Sequence, residues 1–316
     1  MPSEQRVRAV CASHHTLVIT DNAVMTCGPG HVGNKPLHGH GHLESICQLT
    51  PLEAFRGVRA ATAAAGGGHT LVSDSDGRVW SFGAGQNGQL GHGNKHHQST
   101  PRMIHSLQQV RIVGVAAGFH HSLILSTDGA LFSFGRGLKG RLGHGDERDR
   151  TTPTAVWSLL GMNVHSIAAG DLHSVVTIAD GSVWSFGDGS FGQLGHGDTC
   201  VRLLPKLLAE LREEQFIAVA AGAHHTLLLT RRGEVQSCGR GDHGQLGHET
   251  TFTVLSTPKA IGTLRGKHVL TVKANGDTSM CQTWDESTFC WGEAMAASQA
   301  SGTAERSLLP QLVRIP

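Results

Sequence analysis

The sequence lacks an excess of either charge: 26 basic against 25 acidic residues over 316 positions leave a formal net charge of +1. No global field therefore draws the chain onto nucleic acid or an anionic membrane, and any partner must be recognised locally. Long apolar runs are missing too. None approaches the roughly 20 residues of a membrane-spanning helix, and the opening MPSEQRVRAV is too polar for a secretory signal. The seven cysteines form no CxxC pair, which speaks against a thiolate metal site and fits a reducing compartment. An intracellular protein, cytoplasmic or nuclear, is expected. No nucleophile elbow, HExxH motif, P-loop or paired-carboxylate pattern occurs, so catalysis has no support and no cofactor is expected.

What the sequence has instead is glycine and periodicity. Glycine supplies 42 residues, about 13% against a usual level of roughly 7%. A histidine followed by Ser or Thr recurs at His15, His69, His121, His173 and His225, with Thr278 standing in at the last copy, so the spacings are 54, 52, 52, 52 and 53. A fixed period marks a repeat architecture, in which each unit buries its apolar face only by stacking on its neighbours. The six copies run approximately over 1–57, 58–109, 110–162, 163–215, 216–267 and 268–316, and a single domain is expected over 1–316.

Within one copy VRIVGVAAG, HSLILS and ALFSFG read as strands. Asp76-Gly77, Asp128-Gly129 and Asp180-Gly181 separate the second strand from the third, and predict type I′ hairpins. A glycine-rich loop, GxGxxGxLGHG, follows the third strand. Pro101, Pro153, Pro205 and Pro258 then lead into a short fourth strand, where a proline at the first residue or on an edge costs no ladder bond. Four antiparallel strands per unit of about 50 residues predict an all-β fold, a β-propeller of four-stranded antiparallel blades. The chain starts inside VRAV and ends on LLPQLVRIP. From this the last strand is expected to complete a sheet begun at the N-terminus and so close the ring.

The run AAGxxHSLxLxxDGxxxSFGxGxxGQLGHG, written with variations at 116–145, 168–197 and 220–248, resembles the repeat of the regulator-of-chromosome-condensation family. The resemblance covers essentially the whole chain. It implies a propeller whose members typically have seven blades, where six copies are counted here.

Two recurrent motifs invite a chemical reading. GAGQNG (83–88), GRGLKG (135–140), GDGSFG (187–192) and GRGDHG (239–244) satisfy the GxGxxG fingerprint of dinucleotide sites. That fingerprint needs a following helix, and here a turn follows, so these are structural loops. Most of the 22 histidines recur at blade-equivalent places and are assigned to packing or loop bonding. The exception is His38, His40 and His42, with His31 nearby, which could gather imidazoles for zinc or nickel. No second shell is evident, and no metal is assigned.

Function is expected on one rim. The AGxxH connection and the glycine-rich loop emerge on the same side, opposite the Asp-Gly hairpins, and carry residues that change within a fixed frame. The candidate contacts are Phe119, His120, Arg136, Leu138, Lys139, Arg141, Asp171, Leu172, Asp188, Phe191, His224, Arg240, Asp242 and His243. Apolar anchors ringed by charge have the composition of a protein-binding hot spot. The third copy holds six basic and four acidic residues, the fourth three and seven, the fifth six and three, a pattern suited to a protein of mixed charge. The expectation is a non-catalytic interaction scaffold, a monomer, possessing a protein partner and no membrane or direct nucleic-acid partner. It stands alone or as a module of a larger protein, as similar propellers do in large ubiquitin ligases.

The resemblance implies an alternative, guanine-nucleotide exchange on the small GTPase Ran with chromatin association. In the family's namesake a β-wedge inserted in one blade assists exchange, and the unvarying period of 52 from His69 to His225 leaves no room for one there. A plant photoreceptor of similar repeat places Trp and Arg in the xx positions. None of Trp80, Trp157, Trp184, Trp284 and Trp291 lies there.

Overall fold

The structure, a computed structural model, describes residues 8–11, 15–21, 23–249, 253–293 and 307–313. Among them are six four-stranded antiparallel sheets, the blades of a six-bladed β-propeller, one fewer than the family norm. The third blade shows the plan. Ile112–Ala117, His121–Ser126, Leu131–Gly135 and Arg150–Ala155 pair in sequence order. The fourth blade repeats it with Val164–Ala169, His173–Ile178, Val183–Gly187 and Arg202–Leu207. The fifth uses Phe216–Ala221, His225–Thr230, Val235–Arg240 and Val254–Ala260. The sixth uses Val269–Asn275, Thr278–Thr283, Thr288–Gly292 and Ser307–Val313.

The chain groups into two compact units. One holds residues 1–138 and 147–161, the other 139–146 and 162–316. In the first, Leu71, Val79, Ile104, Leu107, Ile112, Val115, Ile124 and Phe134 form a core from the facing sides of the second and third blades. In the second, Leu227, Leu229, Val235, Ile261, Leu264, Val269, Val272 and Trp291 do the same between the fifth and sixth. The second strand of each of blades two to five is buried at every position. Phe82, Phe134 and Phe186 are fully buried, and Cys238 takes their place in the fifth blade as a buried free thiol. Cys27 is only half-buried. Trp80 packs edge-on against Phe55 at 5.6 Å.

Three expectations are corrected. The last strand does not complete the first sheet: Ser307–Val313 pairs with Thr288–Gly292, while Arg8–Cys11 pairs with Thr16–Ile19. Each blade is therefore one contiguous stretch, because the first repeat already carries its own first strand. The Asp-Gly hairpins are not type I′, since only Gly77, Gly129 and Gly181 have positive φ and the aspartates do not. Asp74 N donates to the Arg78 carbonyl and Gly77 N to Asp74 O. This is a three-residue loop, a type I turn closed by glycine in the left-handed region. The prolines sit inside the fourth strand, at a register shift (Pro153 between the Gly135–Arg150 and Ser133–Thr154 pairs), where a missing N–H costs nothing on an edge.

Two features carried no signal in the repeat. A short 3-10 turn follows the fourth strand, as at Trp157–Leu159 and Gly262–Leu264, and tucks Leu159 or Leu264 into the core. In the first blade, His31–Val32 and Lys35–Pro36 form a two-stranded hairpin within the irregular loop.

Candidate functional site

The two variable connections do share one rim. Arg136 N donates to His120 O, Asp188 N to Leu172 O and Arg240 N to His224 O, each at 2.9 Å, so in the third, fourth and fifth blades the end of the third strand is tied to the AGxxH loop of its own blade. Neighbouring blades are tied as well. His15 meets Thr70 at 2.8 Å and His69 meets Ser122 at 2.9 Å in the first unit. In the second, His173 meets Thr226 at 3.0 Å and His225 meets Ser279 at 2.8 Å. Burial is the largest cause that pushes His69, His173 and His225 down to about 3, so they stay neutral. A second set, His92, His196 and His248, holds the glycine-rich loop through Ser81, Ser185 and Ser237 at 2.9–3.0 Å. The recurring histidines are thus spent on the frame.

In the first unit the rim presents Phe119, 40% exposed. Its ring stands edge-on to His120 at 4.5 Å and lies over Gly67, where a side chain would collide with it. Arg136 is half-buried and Leu138 exposed. Lys139, first residue of the other unit, has φ 64 in the turn Leu138–Gly140. The first copy's Ser13-His14 pair lies outside the described residues.

The second unit brings most of the remaining candidates together. Phe191 and His224 pack ring to ring at 4.8 Å, and the Arg240 guanidinium lies 5.4 Å from the Phe191 centroid. Arg240 donates through Nε and Nη2 to Asp242 Oδ2 at 3.0 and 2.7 Å. Burial raises the Asp242 carboxyl, but the Arg240 bond and charge outweigh it and hold the group below its ordinary range. His243 Nε2 lies 3.7 Å from Asp242 Oδ1. Asp171 and Leu172, in the AGxxH loop of the fourth blade, are half-buried. Burial, the largest cause, and the neighbouring Asp277 keep the Asp171 carboxyl above its ordinary range, against the pull of His224 and Arg141.

Two candidates are not presented to a partner. Arg141 is fully buried: it occupies the place of Gln89, Gln193 and Gln245 and donates through Nη1 to the Asp171 carbonyl at 2.9 Å. Asp188, 2% exposed, accepts from Ser190 Oγ at 2.6 Å and braces its own loop. Conversely, the repeat reading passed over Gln245 and Glu293. Gln245 repeats at the place of Gln89 and Gln193, and Glu293 falls in the last copy, where the loop pattern that would flag it has drifted. Exposed Trp157 and Leu160 in the first unit, and Trp284 and Leu270 in the second, also lie outside the variable loops.

The His38, His40 and His42 rings do gather, with centroids 5.1–6.1 Å apart. Two of them are bonded to the protein, His38 Nε2 to Glu44 O at 2.7 Å and His40 Nε2 to Thr26 Oγ1 at 3.0 Å, while His42 is exposed.

Six antiparallel blades with a bonded histidine frame and variable rim loops define a propeller of the chromosome-condensation-regulator type. The sequence matches the RCC1-like domain over residues 1–316, and the chain belongs to that family. It is 34% identical over 300 residues to the human E3 ubiquitin-protein ligase HERC2, covering 94% of this chain and 6% of HERC2. It is also 29% identical over 315 residues to the ultraviolet-B receptor UVR8 of Arabidopsis thaliana, covering 99% of this chain and 71% of the receptor. The crystal structure of human WBSCR16 superposes with a TM-score of 0.86 at 23% identity, covering 100% of this chain and 83% of that one. The chain thus spans a small fraction of the ligase and most of the receptor. Among the described residues no helix is long and apolar enough to cross a membrane.

Proposed function

We propose that this chain is a non-catalytic protein-interaction module, intracellular, that binds a partner protein through the rim of its second unit. The observation that carries the reading is the cluster of Phe191, His224, Arg240 and Asp242, a part-exposed aromatic ring in contact with an imidazole and a guanidinium, with Leu172 half-buried on the same rim. Aromatic and arginine anchors inside a polar border dominate binding energy at protein interfaces. Arg141 and Asp188 are excluded from the contact set by burial, and Phe119 and His120 offer a second, smaller patch in the first unit. The similarity to one short stretch of a very long ligase supports a role as a recognition module, and the absence of any catalytic motif in the sequence agrees.

The test is capture from cell extract by wild type and by the L172S/F191S variant, compared at equal folded concentration judged by melting temperature. The reading expects partners retained by wild type to be lost from the variant. Identical capture by both removes the second-unit rim as the binding surface.

A further inference from the structure

We infer that the second unit contains a divalent-cation site of the zinc type, formed by His243, Asp277 and Glu293. This goes beyond the interaction reading and does not rest on it. The imidazole and carboxylate ligand atoms of the three residues all lie within 4.8 Å of one another, and among the described residues this is the one such trio. His243 Nδ1 is 3.8 Å from Glu293 Oε2. Tetrahedral zinc with bonds of about 2.1 Å needs donors about 3.4 Å apart, a small contraction for an exposed glutamate.

The fold supplies the convergence. Asp277 directly precedes the strand Thr278–Thr283 and Glu293 directly follows Thr288–Gly292. Thr278 pairs with Gly292, and Glu293 N donates to Asp277 O at 3.1 Å, so the two carboxylates start from one rung of the sixth blade. His243 arrives from the glycine-rich loop of the fifth blade. Gln245, fully buried, joins the two sources: its Oε1 accepts from His243 N at 2.9 Å and its Nε2 donates to Asp277 Oδ1 at 3.0 Å. Gln245 is itself held, its carbonyl accepting from Ser279 Oγ at 2.8 Å and from Trp291 Nε1 at 2.9 Å.

An independent observation is the pattern of unused atoms. His243 Nδ1 is buried and makes no hydrogen bond, although the ring lies among carboxylates. The other ring nitrogen, Nε2, faces Asp242 Oδ1 at 3.7 Å, and that oxygen is also buried without a hydrogen bond while its twin takes both contacts from Arg240. A metal-bound imidazole characteristically donates its free N–H to a carboxylate, and bound carboxylates are themselves hydrogen-bonded. Asp242 behind His243 and Gln245 behind Asp277 provide that outer shell. Binding an ion at Nδ1 uses that idle nitrogen and places the proton on Nε2, toward Asp242 Oδ1, which takes a hydrogen bond once the 3.7 Å gap closes by a few tenths of an ångström. One imidazole with two carboxylates suits Zn²⁺, with Co²⁺ as a spectroscopic substitute. Three protein donors leave a coordination position for water or for a donor from a bound partner.

The experiment is equilibrium dialysis of the metal-stripped full chain against Zn²⁺, read by elemental analysis, with Co²⁺ binding followed by visible absorption. One equivalent of Zn²⁺ is expected, and H243A and E293Q should each weaken retention at least about tenfold, with D242N weakening it about 10- to 100-fold through the outer shell. All three side chains are at least partly exposed, and unchanged melting temperatures without metal confirm that the variants fold. Failure to retain Zn²⁺, or retention unchanged in both H243A and E293Q, overturns the site. So does a loss seen only in H40A/H42A, which places the ion at the His-rich loop.

Discussion

The guanidinium carbon of Arg240 stands 5.4 Å from the centre of the Phe191 ring, while the same guanidinium is engaged by Asp242 through Nε and Nη2. The two residues come from equivalent glycine-rich loops of adjacent blades, so the frame that repeats is what lets two non-repeating side chains meet. The pairing keeps an aromatic ring part-exposed in one orientation. Such a ring loses little conformational freedom on binding, which is what an anchor requires.

The glycine before the variable pair Ala223-His224 is hemmed in by the histidine of its own blade and by the backbone of the next. A Cβ on Gly222 would overlap the His225 ring and lie 2.6 Å from the Gly276 carbonyl, whereas one on Gly262 meets nothing within 4 Å. Neither needs a positive φ. G222A is therefore expected to destabilise by about 1–3 kcal/mol through overpacking, and G262A to be neutral or stabilising by up to about 1 kcal/mol. Urea midpoints of the two variants check the contrast.

Stability should fall with acid. His69, His173 and His225 bind protons at about 3 in the folded chain because burial disfavours the cation, against about 6.5 when unfolded. Between those values the unfolded state holds more protons, so stability rises with pH there. Each residue contributes up to about 1.4 kcal/mol per pH unit. His92, His196 and His248, lowered to about 4 with burial as the largest cause, act in the same direction. The urea midpoint should hold steady from pH 8 to 7 and drop steeply below 6.5. Equal midpoints at pH 7.5 and 5 contradict the neutral-histidine frame.

Guanine-nucleotide exchange is the family activity most worth measuring against the scaffold reading. Blades two to five repeat one four-strand plan, and among the described residues the additional ribbon is the short hairpin His31–Val32 with Lys35–Pro36 in the first blade. Release of a fluorescent guanine nucleotide from Ran should proceed at the same rate with and without this chain. Acceleration by orders of magnitude would replace the scaffold reading with an exchange factor.

Much of the architecture was legible because the period samples the same physics six times. His225 before Thr226 and Asp128 before Gly129 announce a strand start and a turn wherever they recur, and the blade count follows. What repetition hid is equally physical. The positive φ falls on Gly77 alone, because a three-residue loop and a two-residue loop use the same Asp-Gly pair. Arg141 looked like a rim cation, yet it replaces a glutamine whose side chain always points inward. Asp277 and Glu293 meet His243 only through the pairing of two strands in the most divergent copy, a juxtaposition that no spacing in the sequence encodes.

The most direct measurement of the central claim is the affinity of a captured partner for purified wild type and for F191A, L172S and R240A, by titration calorimetry. Loss of a hot-spot anchor costs about 2 kcal/mol or more, so Kd is expected to rise at least about tenfold in F191A, with smaller increases in L172S and R240A. A Kd that stays within a factor of about two of wild type in all three variants, at unchanged melting temperature, contradicts the assignment of the second unit's rim as the binding surface.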